Sequence, residues 1–192
     1  MAYTTLALPY VLSFELLDDP PDLGGFDPFV VGHLAQPIPD AFVDGHAYGR
    51  VAQSQNPIDD DTPGSSNVNV NQPFQIDVYW NLSGPLIPAF CGSWAVTVFF
   101  ESMGPDDYDF QITADPNIDY GCASDPLNNR NQRAYHVSII VPQGTVQVGQ
   151  LSGTPYELNV SLSLLATQCP NDGNPTGIVG SIALEDILFF SA

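Results

Sequence analysis

The sequence predicts an all-β fold: a single antiparallel β-sandwich of Greek-key or jelly-roll type, about ten strands, with long polar loops and little or no helix. Three observations carry that prediction. Apolar and polar residues alternate at period two in segment after segment, as in strands with one buried face. The 18 prolines and 16 glycines are spread throughout and leave hardly a run of ten residues for a helix. The 192 residues, 44% of them hydrophobic, can build one sizeable core, so residues 1–192 are read as one domain. A closed barrel is the alternative arrangement of the same strands.

Six segments alternate clearly. In the first, Tyr10, Leu12, Phe14 and Leu16 face one way, and Ser13 and Glu15 the other. In the second, Phe74, Ile76, Val78, Trp80 and Leu82 oppose Gln75, Asp77, Tyr79 and Asn81. Trp94, Val96, Val98 and Phe100 then alternate with Ala95, Thr97, Phe99 and Glu101. Tyr135, Val137, Ile139 and Val141 alternate with His136, Ser138 and Ile140. The fifth stripe is Tyr156, Leu158, Val160, Leu162 and Leu164. In the last, Ile178, Ile182, Leu184 and Leu188 alternate with Ser181, Ala183 and Glu185. Weaker strands are read at Phe29–Ala35, Ala47–Gln53, Tyr108–Thr113 and Thr145–Gly149. Each apolar stripe, both tryptophans included, is read as core. One-sided stripes with no helices between them imply a pair of antiparallel sheets.

Three long connections separate the strands: Pro20–Pro28, Gln53–Pro73 and Thr113–Arg133. Connections of this length are often functional. The polar Gln53–Pro73 stretch is expected to cross from one sheet to the other.

Charge excludes several functions. The chain holds 22 acidic residues and three basic ones, Arg50, Arg130 and Arg133, for a net charge of −19. It contains no lysine, so it offers no side-chain amine for modification or cross-linking. Three arginines cannot line a nucleic-acid groove, and anionic lipid is disfavoured for the same reason. A surface of one sign repels copies of itself, and salt or divalent cations weaken that repulsion. No segment has the length of a membrane span. Leu6–Leu17 is apolar but lacks a basic flank, so it reads as a strand and not a secretory signal. The default compartment is then the cytoplasm, with export by a non-standard route as the other option. Of the three cysteines, Cys122 and Cys169 sit in turn-rich segments and are the pair for any single disulfide; three free thiols fit equally well.

Candidate chemistry is sparse. Asp115, Asn117 and Asp119 place side-chain oxygens at alternate positions, the kind of donor set calcium takes. Asp106, Asp107 and Asp109 add further oxygens, and calcium is the one cofactor the sequence leaves open. The spacing is not that of an EF-hand, and Asp and Asn serve equally as turn residues through side-chain-to-backbone bonds. If the 106–109 and 115–119 segments flank one strand, they lie at its opposite ends. His33, His46 and His136 form no close pair. No nucleophile elbow, phosphate loop or zinc-protease motif is present, and no catalytic residue is assigned. Glu101 and Glu185 near strand ends would be the pair for a carboxylate hydrolase.

The C-terminal segment is apolar on both faces. Ile187, Phe189 and Phe190 there, with Phe99 and Tyr79 on polar strand faces, are the candidate interface residues; Phe189 and Phe99 are expected to point away from the core. The functional expectation is a non-enzymatic acidic subunit that assembles with itself, as oligomer or filament, or docks to another protein. A calcium- or carbohydrate-binding module is the alternative.

Overall fold

Alternation becomes a fold only when each strand finds partners for its backbone groups and cover for its apolar face. In the computed structural model of the chain, two sheets supply both. The structure describes residues 4–6, 11–17, 27–28, 44–53, 64–85, 87, 92–104, 108–113, 118–119, 132–149, 153–166, 175–184 and 186–192. Thirteen strands lie among them, more than the ten expected because several are only two or three residues long.

The larger sheet holds β1 (Thr4–Leu6), β5 (Asn67–Asn69), β7 (Gly92–Ser102), β8 (Phe110–Thr113), β9 (Ile118–Asp119), β11 (Thr154–Ala166), β12 (Pro175–Ala183) and β13 (Ile187–Phe190). Its order is β1-β8-β7-β11-β13-β5, with β12 also on β11 and β9 also on β7. The smaller sheet contains β2 (Val11–Leu17), β3 (Asp27–Pro28), β4 (Asp44–Ala52), β6 (Phe74–Ser83) and β10 (Gln132–Val141), in the order β2-β10-β6-β4-β3. Pairing is antiparallel except for β1 with β8 and β13 with β5.

The six clear stripes all coincide with strands over their described residues, and the apolar faces of β6, β7, β10 and β11, with Ile182 and Leu184, meet in one cluster between the sheets. Trp80 of the smaller sheet lies edge-on to Trp94 of the larger at 5.5 Å, and Tyr135 stacks on Trp80 at 5.2 Å. Phe100, Phe110, Tyr156 and Phe189 form a second aromatic group; Phe100 stacks on Phe110 at 4.3 Å. Aromatic rings in these geometries add to plain area burial. Gly92 has a packing reason: a Cβ there would sit 2.1 Å from the carbonyl oxygen of Leu165 on β11.

Three readings need correction. Thr145–Gly149 forms no strand. The segment is held instead by single bonds: Gly144 N–H to Val70 O at 2.7 Å, Tyr156 O–H to Gln147 O at 2.7 Å, and Gly149 N–H to Thr154 Oγ1 at 2.8 Å. Burial, with the Asp109 charge second, pushes the Tyr156 hydroxyl well above its ordinary pKa. The Gln53–Pro73 connection leaves β4 in the smaller sheet, adds β5 to the larger sheet, and returns to β6 beside β4. The Gln53 side-chain amide bonds both backbone groups of Asn69, at 2.7 Å each, and so stands in for a strand partner. Finally, Phe189 points inward. It is fully buried, as is Ile187, whereas Leu188 is 37% exposed. The cause is a bulge. Asn159 pairs with Ala183 and Tyr156 with Ile187, so three residues, 184–186, stand against two, 157–158. One extra residue moves the buried series from even to odd numbers. The Phe29–Ala35 strand lies outside the described residues.

Candidate functional site

The outer face of the smaller sheet gathers most of the reactive side-chain types that the structure describes. Register builds the site. Arg50 of β4 pairs with Asp77 of β6, and Asp77 with Ser138 of β10. One row along, Tyr48 pairs with Tyr79, and Tyr79 with His136. Directly paired residues share a face, so the polar halves of three alternating strands come together.

The Asp77 carboxylate is the hub. One oxygen, Oδ1, accepts from Ser138 Oγ at 2.5 Å and Gln75 Nε2 at 2.6 Å, and meets His136 Nε2 at 3.3 Å. The other accepts from Arg50 Nε at 3.2 Å. The side chains of Asp77 and Arg50 are 1% and 9% exposed. Burial by itself pushes the Asp77 carboxyl upward. Hydrogen bonds from His136, Ser138 and Gln75 and the charge of Arg50 together outweigh it and hold the pKa at about 2. Tyr79 stacks on the His136 ring at 4.1 Å and 3°, which fixes the imidazole plane.

These are the residue types of a hydrolytic triad, but they are wired differently. In such a relay the histidine uses one ring nitrogen toward the nucleophile and the other toward the acid. Here Ser138 Oγ and Asp77 Oδ1 both approach the same nitrogen, Nε2. Ser138 donates to Asp77, so its hydroxyl is occupied, and it is 4% exposed. The arrangement can lock three strands in register; it does not present a nucleophile to a substrate.

Beside this network a cleft of about 410 Å³ opens between β4 and the β12–β13 bulge, with Tyr48, Arg50 and Ser65 among its polar lining and Val51, Ile182 and Leu184 among its apolar lining. Gly49 packs closely against the larger sheet here: a Cβ would lie 2.5 Å from the Leu184 Cδ2 methyl, which would have to shift.

The outer face of the larger sheet is built differently. Its central row reads Thr113–Thr97–Ser161–Ser181 across β8, β7, β11 and β12. The next reads Gln111–Phe99–Asn159–Ala183. Ser181 and Ala183 are exposed and the β7 and β11 members half-buried. The described outer-facing residues carry no charge from Ser93 to Phe99 on β7, from Asn159 to Leu165 on β11, or from Val179 to Ala183 on β12. Charge begins one row beyond, where Glu101 and Glu157 face each other directly, and at the other end, where Asp119 of β9 pairs with Ser93.

The sequence-predicted positions scatter over this framework. Among the candidate cation ligands, Asp106, Asp107, Asp115 and Asn117 lie outside the described residues. Asp109 closes the β7–β8 hairpin by accepting from Ser102 N–H at 2.8 Å and Ser102 O–H at 3.2 Å. Asp119 pairs with Ser93, while Phe110 pairs with Phe100. Those partners are seven residues apart on β7, roughly 24 Å at about 3.4 Å per residue, so Asp109 and Asp119 are not neighbours. No group of three or more His, Cys, Asp or Glu among the described residues is placed to hold a metal ion. Cys122, Cys169 and Glu185 lie outside the described residues. Of the candidate interface residues, Ile187 and Phe189 belong to the core, Phe190 is half-buried, and Phe99 lies on the uncharged outer face. Tyr79 is on an outer face as expected but is buried by its neighbours, 7% exposed, so it offers no aromatic platform.

No family model matches the chain, and no curated protein matches it in sequence. Among solved structures it is similar to BcpA, the major pilin subunit of Bacillus cereus, with a TM-score of 0.39 and 9% identity over 78% of this chain and 41% of that one. A variant of that pilin subunit gives a TM-score of 0.37 and 8% identity over 78% of this chain and 42% of its own. The chain thus spans about two fifths of the length of those subunits. Scores this low assign neither a family nor a function.

The residues that sequence reasoning missed are Arg50, Asp77, His136 and Ser138 as a set. Asp77, His136 and Ser138 were each placed on the polar face of a strand, and Arg50 was read as one of the three basic residues. Nothing local says that β4, β6 and β10 are neighbours, and that adjacency makes the network.

Proposed function

We propose that this protein is a non-enzymatic, acidic β-sandwich that works as a self-associating structural subunit. One observation carries the reading: among the described residues, the Ser138, His136, Asp77 and Arg50 side chains are tied to one another in a buried network, while the central outer rows of the larger sheet carry no charge on a chain of net charge −19. Groups locked in mutual hydrogen bonds stabilise a scaffold. An uncharged surface is where molecules of like charge can meet at least electrostatic cost.

The test is size. Light scattering on the purified protein in low salt, high salt, calcium and chelator should show growth as salt rises, because screening removes the repulsion. A monodisperse monomer in every condition would end the self-association reading. Growth in calcium alone, reversed by chelator, would redirect it to a cation-bridged assembly.

A further inference from the structure

One edge of the larger sheet is closed by a side chain. Strand order places β5 at the end of that sheet, beside β13. In the parallel register, Ser66 O accepts from Leu188 N–H and Val70 N–H donates to Phe190 O, both at 2.9 Å. The same register turns the backbone groups of Asn67 and Asn69 to the outer edge. At Asn69 the Gln53 amide takes both groups. Its Oε1 accepts from the N–H and its Nε2 donates to the carbonyl oxygen, at 2.7 Å each. A neighbouring antiparallel strand would make the same pair of bonds. The Gln53 backbone is tied to this segment as well, its N–H donating to Ser65 Oγ at 3.3 Å. Asn67, two residues back along the edge, is exposed.

The composition of the segment is a second, independent observation. Residues 65–72 are three asparagines, two valines, two serines and a glutamine, with no charge, proline or glycine. Uncharged, β-branched, Asn- and Gln-rich segments of this kind pair with copies of themselves, and an unpaired edge is where such pairing starts. We propose that Gln53 is an edge cap, and that with the cap displaced β5 pairs with β5 of a second copy, antiparallel and two-fold about Val68. Geometry and charge select this occupant. About an axis at Val68, Asn67 of each copy faces Asn69 of the other, so the outward N–H and C=O groups of both copies satisfy one another. Their side-chain amides then stand directly opposite, where each can both donate and accept. Neither segment brings a charged side chain to a contact between molecules of net charge −19. The inference goes beyond the function proposed above, since it concerns an edge that the intact subunit keeps closed, whichever surface wild type uses to associate.

Hydrogen exchange and sedimentation velocity on the full chain test the two halves separately. At high dilution, the Asn69 amide of Gln53→Ala should exchange roughly fivefold or more faster than that of wild type, having lost its acceptor. In concentrated solution at about 500 mM salt, Gln53→Ala should form more dimer than wild type, and its Asn69 amide should regain protection. Adding Asn67→Pro to Gln53→Ala should restore the wild-type size distribution. Proline is tolerated on an edge strand whose N–H faces solvent, and it removes a donor that the pairing needs. Gln53→Met, which keeps the stem and drops both bonds, replaces Gln53→Ala if that chain does not fold. Unchanged exchange at Asn69 overturns the cap. Faster exchange with no added dimer at any concentration overturns the second copy as occupant. Added dimer that survives Asn67→Pro overturns the pairing through β5. None of these outcomes bears on wild-type self-association, which the salt series reads.

Discussion

The two outer faces of the sandwich read alike in sequence and differ in structure. On the smaller sheet, Asp77 and Ser138 are buried, and Arg50 and His136 nearly so, with one another as hydrogen-bond partners. On the larger sheet, Ser161 and Thr97 are half-buried and Ser181 is exposed. Both sets come from polar positions of strands with one apolar face. The difference is that one face concentrates charge at its centre and buries it, which forces mutual satisfaction, whereas the other carries its charges only at the two ends of its central rows. One face therefore closes into a hydrogen-bonded network, and the other is lined on its central strands by short, uncharged side chains.

Mutations should separate the two. The largest effect is expected at the hub. Asp77→Ala leaves Arg50, at 9% exposure, without its carboxylate, and should cost about 3–5 kcal/mol of unfolding free energy in urea titrations. A cost below about 1 kcal/mol would mean that the network does not hold the strands. Next is a position on the larger sheet that lies in the strand pairing and not on its outer face. Gly92→Ala puts a Cβ against the Leu165 carbonyl oxygen, and separating β7 from β11 there should cost about 2–3 kcal/mol in the same titration.

Acid gives a third contrast. The folded Asp77 value of about 2 lies below its ordinary 3.8. The stability it contributes is present above the unfolded value and is lost as pH falls from about 4 towards 2, by about 2 kcal/mol. Urea titrations at several pH values should show that loss in wild type and not in Asp77→Asn. Equal acid sensitivity in the two proteins would remove the carboxylate from the account. The smallest effect belongs to the outer face of the larger sheet. Ser161→Ala should shift stability by less than about 0.5 kcal/mol in thermal melts, since it leaves no buried partner unsatisfied. A loss comparable to that at Gly92 would mean that Ser161 is not on an open surface.

Much of the fold was legible in the residues. Phe74 to Leu82 and Tyr156 to Leu164 read as strands because a strand repeats every two residues, and their buried faces were named correctly on that ground alone. The network was legible only in pieces: Gln75-x-Asp77-x-Tyr79 and His136-x-Ser138 were seen as polar faces, not as neighbours. Phe189 was misplaced for a related reason. Alternation extrapolated through residues 184–186 predicts the wrong face, and the bulge is defined only by pairing with β11.

The chain by itself determined the all-β class, the strands with long stripes, and the net charge of −19, because periodicity and charge are local and additive. Tertiary structure alone decided which polar face would close into a hydrogen-bonded network. That choice depends on which strands become neighbours and in what register, and residues 27 to 61 positions apart, such as Arg50, Asp77 and Ser138, meet only when the sheets assemble.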